Sequence, residues 1–166
     1  GGTVNPATGK GPGTAAVAVG YLADASAANT FAGGKSATAT VDNAVALGVS
    51  SSATSRNAMA LGGYAAASGE RAAAVGAASK ASGTASFAGG TSANASGLNS
   101  VAIGGAMEAA KAAQAIGDYS IAQGTEAVST KQSDVAIGPG TYSDGVDAQN
   151  GASHPADNTA GTAPAV

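Results

Sequence analysis

The chain has one histidine, His154, in Ser153-His154-Pro155. A serine beside a histidine can supply a nucleophile and a base, but that chemistry also needs a carboxylate and a scaffold to hold all three. This tripeptide sits in a stretch broken by Pro, Gly, Asp and Asn, so it reads as a solvated loop. Gly34-Lys35-Ser36 ends like a phosphate-binding loop. The glycine that such a loop needs five positions earlier is Asn29, and no apolar parallel strand precedes it, so a turn is expected. Asp24, Asp42, Asp118, Asp134, Asp144, Asp147 and Asp157 are spread along the chain without calcium-loop spacing. Neither a metal nor another cofactor is expected, and an enzyme is not.

Composition narrows the field further. Of 166 residues 26 are Gly, 10% are charged and 4% are aromatic. An ordinary globular domain has about 25% charged residues. Large apolar side chains are too few for a conventional core, so the chain must be disordered or pack small residues in a regular array. Net charge is −3, and the cations Lys10, Lys35, Arg56, Arg71, Lys80, Lys111 and Lys131 are scattered, which argues against a nucleic-acid partner. There is no cysteine, hence no disulfide frame and no thiolate metal site. No signal peptide or long apolar span is visible, and any membrane anchor is expected outside this stretch.

What positions the side chains is a repeat. Ala recurs every seven residues from Ala18 to Ala109. Two residues after each Ala, from 20 to 104, the residue is Gly except at Ala27, Val41 and Ser55. Two residues before each Ala the side chain is small until Met107. A heptad coiled coil is tested first and fails. It wants two apolar positions per heptad and good helix formers, whereas Gly here costs about 1 kcal/mol per helical residue.

A strand and a turn per seven residues fit better. Gly at a fixed place in each turn supplies a φ > 0 position. Two strands and two turns make a coil of about fourteen residues. Roughly nine such coils stacked at the strand spacing give a rod about 40 Å long. The small side of each strand faces a narrow lumen and the other side faces outward. On one strand of each coil the outward residues are apolar: Val17, Val19, Phe31, Val45, Leu47, Met59, Leu61, Val75, Phe87, Val101 and Ile103. Gly33 and Gly89 follow the two Phe residues in the partner position, as if to compensate for volume. On the other strand the outward residues are mostly polar, including Asp24, Thr38, Ser52, Lys80, Asn94 and Glu108, the last with Ala110. One wall is therefore apolar and the other wet. An apolar wall several strands long exceeds what a soluble monomer exposes, so the chain is expected to be an obligate homo-oligomer through that wall.

The phased phrases Ser86-Phe87-Ala88-Gly89-Gly90, Ser100-Val101-Ala102-Ile103-Gly104, Ala65-Ala66-Ala67-Ser68-Gly69 and Ala93-Asn94-Ala95-Ser96-Gly97 resemble the YadA-like head of trimeric autotransporter adhesins. The resemblance covers about residues 14–138. It implies an all-β, left-handed parallel β-roll assembled side by side as a homotrimer, with the apolar residues named above as the trimer interface. It further implies a Gram-negative cell-surface protein, anchored in the outer membrane by a part outside this stretch, that attaches to host extracellular matrix or cells. The polar outward set and the turn residues Arg56, Glu70 and Arg71 are then the candidate receptor contacts. Rival readings are a monomeric ice-binding or surface-coat solenoid, a β-helix enzyme and disorder. Only Thr38/Thr40 has the threonine array an ice-binder needs. Clustered carboxylates are missing, and the fixed phase of Ala opposes disorder.

Outside the roll, residues 1–13 read as an irregular lead-in and 139–166 as a Gly/Pro-rich loop or linker. After Gly104 the next strong phrase, Gln114-Ala115-Ile116-Gly117, arrives after thirteen residues, and Met107–Ala113 is expected to be a short helix or a bulged turn.

Overall fold

Small side chains at alternate positions allow two sheets to approach until little but methyl groups separates them. A computed structural model describes residues 14–145, and it shows this arrangement. The lead-in at 1–13, most of the segment after 138, and His154 fall outside the described residues.

Nine coils each contribute two strands. In chain order these are β1 (Val17–Val19), β2 (Asp24–Ala25), β3 (Phe31–Gly33), β4 (Thr38–Ala39), β5 (Val45–Leu47), β6 (Ser52–Ala53), β7 (Met59–Leu61), β8 (Ala66–Ala67) and β9 (Ala73–Val75). They continue as β10 (Lys80–Ala81), β11 (Phe87–Gly89), β12 (Asn94–Ala95), β13 (Val101–Ile103), β14 (Gln114–Ala115), β15 (Ile121–Gln123), β16 (Val128–Ser129), β17 (Val135–Ile137) and β18 (Tyr142–Ser143). The odd strands form one nine-stranded parallel sheet and the even strands the other. Register advances by fourteen residues per coil, as in Val45↔Met59 and Met59↔Ala73. The chain is thus an all-β parallel solenoid with about fourteen residues per coil. The final strand, β18, lies beyond position 138. Thr141-Tyr142-Ser143 keeps the small–large–small alternation there, with Thr141 and Ser143 buried.

The lumen is lined by fully buried alanines, among them Ala46, Ala60, Ala74, Ala88 and Ala102 on the odd sheet and Ala39, Ala53, Ala67 and Ala81 on the even one. Each turn has four residues, closed by a hydrogen bond from the fourth N–H to the first carbonyl, as in Ala37 to Gly34 at 3.3 Å. The third residue is left-handed in nearly every turn and is rarely Gly: Leu22, Ser36, Tyr64, Arg71 and Ala78 all have φ near +60°. Coil stacking holds them there, because the N–H of that residue donates to the preceding coil, as Ser36 does to Tyr21 O at 2.8 Å.

The turn glycines do two jobs rather than the one expected. Those after odd strands have positive φ, for example +136° at Gly76. A Cβ on Gly76 would also stand 2.5 Å from the carbonyl oxygen of Gly90 in the next coil. Those after even strands, such as Gly69, lack a left-handed φ but lie against the next coil's backbone, so close approach alone requires Gly.

Candidate functional site: two outer walls and an insertion

The odd sheet presents an apolar wall along its length. Val19, Leu47, Met59, Val75, Phe87 and Ile103 are exposed in the single chain, as are Ile121, Val135 and Ile137 further along. Val17, Val45, Leu61 and Val101 lie half-buried between them, and Phe31 is exposed. A Cβ on Gly33 would come within 2.7 Å of the Phe31 ring, and one on Gly89 within 2.8 Å of Phe87. Each ring therefore lies over its own glycine, and the wall stays level where a large side chain enters.

The even sheet places its outward residues in one column, Asp24, Thr38, Ser52, Ala66, Lys80, Asn94, Gln114, Val128 and Tyr142. Five of the six expected polar contacts stand in it. Glu108 does not. The expectation that Glu108 and Ala110 form an outward strand pair, and that Ala109 lines the lumen, is corrected by the register Asn94↔Gln114 and Val101↔Ile121. That coil has twenty residues instead of fourteen, and Gln114 fills the place assigned to Glu108.

The six extra residues sit in the turn between β13 and β14. The turn still closes, with the Ala113 N–H donating to Gly104 O at 2.9 Å. Ala106 bonds back to Thr91 O at 3.0 Å, and Lys111 O accepts from the Glu126 N–H at 2.7 Å. Both neighbouring coils keep their ladder bonds while the chain bulges outward through a 3₁₀ turn at Ala109–Lys111. Met107 at its tip is 98% exposed. Glu108 pairs with Lys111 at 3.0 Å. That hydrogen bond, with the attraction of Glu108 and Glu126, raises the Lys111 ammonium above the usual lysine range.

The bulge overhangs the edge of the wet wall and leaves a cleft on each side. One, of about 500 Å³, brings Lys80 and Asn94 together with Gln114, Ala109 and Ala110. The other, of about 320 Å³, is lined by Glu108, Lys111, Glu126, Val128 and Tyr142. Asp24, Thr38 and Ser52 lie further along the column, away from both clefts. The short helix or bulged turn expected over Met107–Ala113 is thus present as a 3₁₀ turn in a bulge. The clefts beside it are not foreseen in the sequence, because Ala109 keeps the seven-residue phase and hides where the extra residues lie.

The turn aspartates hold coils together. Asp42 Oδ1 accepts the Ala28 N–H at 3.2 Å, and Asp118 Oδ1 accepts the Leu98 N–H at 2.8 Å. Asp134 stands where other turns have Ala, Ser or Thr. The Ser51 and Ser79 hydroxyls donate to a carbonyl three residues back, whereas the Asp134 carboxylate accepts the Lys131 N–H at 2.9 Å. Among the described residues no three Asp, Glu or His side chains are grouped to hold a metal ion. No described helix is long and apolar enough to cross a membrane.

The family model described as YadA head domain repeat (2 copies) matches residues 39–65, 67–93, 81–106 and 115–141. The gap from 107 to 114 falls on the bulge. No curated protein matches the chain. With more than half of its length matched, on a parallel solenoid of the required coil length, the chain belongs to the YadA head family, the repeat of bacterial surface adhesins of the trimeric autotransporter type.

Proposed function

We propose that this chain is a non-enzymatic adhesin head that assembles as a homotrimer and attaches to host extracellular matrix or host cells. The observation that carries the reading is the nine-strand apolar wall left open on a single chain. At about 25 cal/mol per Å² even a few hundred Å² buried per chain is worth many kcal/mol, so three copies close by covering it. The interface residues are Val17, Val19, Phe31, Val45, Leu47, Met59, Leu61, Val75, Phe87, Val101 and Ile103. The wet wall then faces outward on all three chains. Asp24, Thr38, Ser52, Lys80 and Asn94 on that wall, with Glu108 on the bulge at its edge, are the receptor contacts. Each is weak singly and multiplied by repetition, by three chains and by many copies on a surface.

The test is binding to immobilised matrix proteins and cultured cells by the intact chain and by two variants. Val45→Asp/Leu47→Asp, monomeric but folded, is expected to lose about a hundredfold in apparent affinity through lost multivalency. Lys80→Glu/Asn94→Asp is expected to weaken binding and leave the oligomer intact. An intact trimer that binds no matrix protein or cell would overturn the adhesive reading.

A further inference from the structure

The roll has two long edges as well as two walls. At one edge the chain turns forward from the odd sheet to the even sheet, and at the other it returns. Among the described residues the forward turns carry charge at three places: Lys35, the bulge with Lys111 and Glu108, and Glu126. The return turn that follows each carries the opposite charge to Lys35, Lys111 and Glu126: Asp42, Asp118 and Lys131, all six being exposed. Two coils beyond Lys35, the forward turn with Tyr64, 68% exposed, is followed by a return turn whose Arg71 pairs with its own neighbour Glu70 at 3.3 Å.

The three opposite-charge pairs cannot meet within one chain. Lys35 and Asp42 lie on opposite edges, with an extended run of three residues, Thr38 to Thr40, roughly 10 Å, between their turns. We propose that they meet between chains: the forward edge of each copy lies along the return edge of the next copy around the trimer. Lys35 then faces Asp42 of the neighbour, Lys111 faces its Asp118, and Glu126 faces its Lys131. This rests on the self-association reading above and adds to it the edge contact and its register. Such head-to-tail contacts close a ring when all copies run parallel. A slip of one coil, about 4.8 Å, sets Lys35 beside Ala28, Lys111 beside Leu98 and Glu126 beside Asp118 in one direction, and Lys35 beside Arg56 and Lys111 beside Lys131 in the other. Neither offers an exposed opposite pair and both bring like charges together, so the charges select one register among those that the apolar wall would accept.

The sequence has no cysteine, so the contact can be trapped cleanly. K35C/D42C, oxidised and run on a denaturing gel, is expected to give a closed species of three chain masses. K35C or D42C alone is expected to give none. An intrachain bond is excluded because the Cα atoms of a disulfide lie within about 7 Å. A28C/K35C reports the first of these slips and is expected to stay unlinked. A charge exchange tests the same contact without a covalent bond. K35E or D42K alone is expected to weaken assembly about tenfold at low salt, and K35E/D42K together to return it to within about twofold. Wild-type chain at three chain masses by light scattering, with neither cross-link nor rescue, overturns the edge pairing and leaves the wall reading standing. A cross-link in A28C/K35C in place of K35C/D42C overturns the register. A wild-type monomer overturns both readings.

Discussion

The two outer walls share one lumen and differ in nearly everything else. Inward, both sheets show Ala, with Ala60 and Ala67 equally buried. Outward, the odd sheet is mostly Val, Leu, Met, Ile and Phe, whereas the even sheet runs from Asp, Thr, Ser, Lys and Asn to Gln114, Val128 and Tyr142 in its last coils. The lumen fixes the fold, because only side chains as small as Ala, Ser or Thr fit between sheets so close together. The outward positions carry no such constraint, and their contrast is what the proposed assembly calls for: one wall covered by other copies of the chain, the other left to water and a receptor.

The largest effect should come from making the walls alike. Val45→Asp/Leu47→Asp is expected to abolish assembly, since each charge would be buried unpaired at a cost of several kcal/mol. Ser52→Asp/Thr54→Asp, at the same level on the wet wall, is expected to leave the mass in solution unchanged. Size-exclusion with light scattering compares the two, and identical behaviour would mean that the inside–outside assignment is wrong.

Next in size is the contrast between lumen and wall. Ala74→Leu overfills a position with no exposed surface and is expected to cost about 3 kcal/mol in denaturant unfolding. Ala66→Leu, a half-buried outward residue, is expected to stay within about 0.5 kcal/mol.

A smaller effect separates the regular coils from the bulge. Deleting residues 106–111 leaves Gly104-Gly105-Ala112-Ala113, a four-residue turn like its neighbours. Stability is expected to change by about 1 kcal/mol or less, because a surface loop contributes little beyond its closure entropy. Matrix binding should fall if the clefts take part.

The smallest effect distinguishes two columns of buried hydroxyls. Ser79 Oγ donates to Gly76 O at 2.8 Å, whereas the Oγ atoms of Ser86, Ser100 and Ser120 have no partner among the described residues. Ser79→Ala is expected to cost about 1 kcal/mol, and Ser100→Ala to be neutral or slightly stabilising. Thermal midpoints of the two variants give the comparison.

Much of this was legible in the residues. The phase of Ala and Gly gave the coil length, the period of two gave the lumen, and the alternation of outward residues gave the walls. Phe31 over Gly33 was visible as volume compensation before the ring was placed. Other features were not. The broken spacing after Gly104 signals a short helix or bulged turn at Met107–Ala113, but Ala109 continues the alanine phase by coincidence of composition, and that phase puts Glu108 on the wrong surface. Left-handed turns at Leu22, Tyr64 and Arg71 have no local signal, since stacking on the neighbouring coil imposes them. Pro139 and Gly140 give Tyr142 and Ser143 the look of a linker, yet Pro139 and Gly140 only form part of the last forward turn.

The most direct measurement is the mass of the intact chain in solution by light scattering, with a circular dichroism spectrum on the same sample. Three times the chain mass with a β spectrum is the predicted result. A particle of one chain mass with the same β spectrum would contradict the account, because an apolar wall nine strands long would then stand open to water.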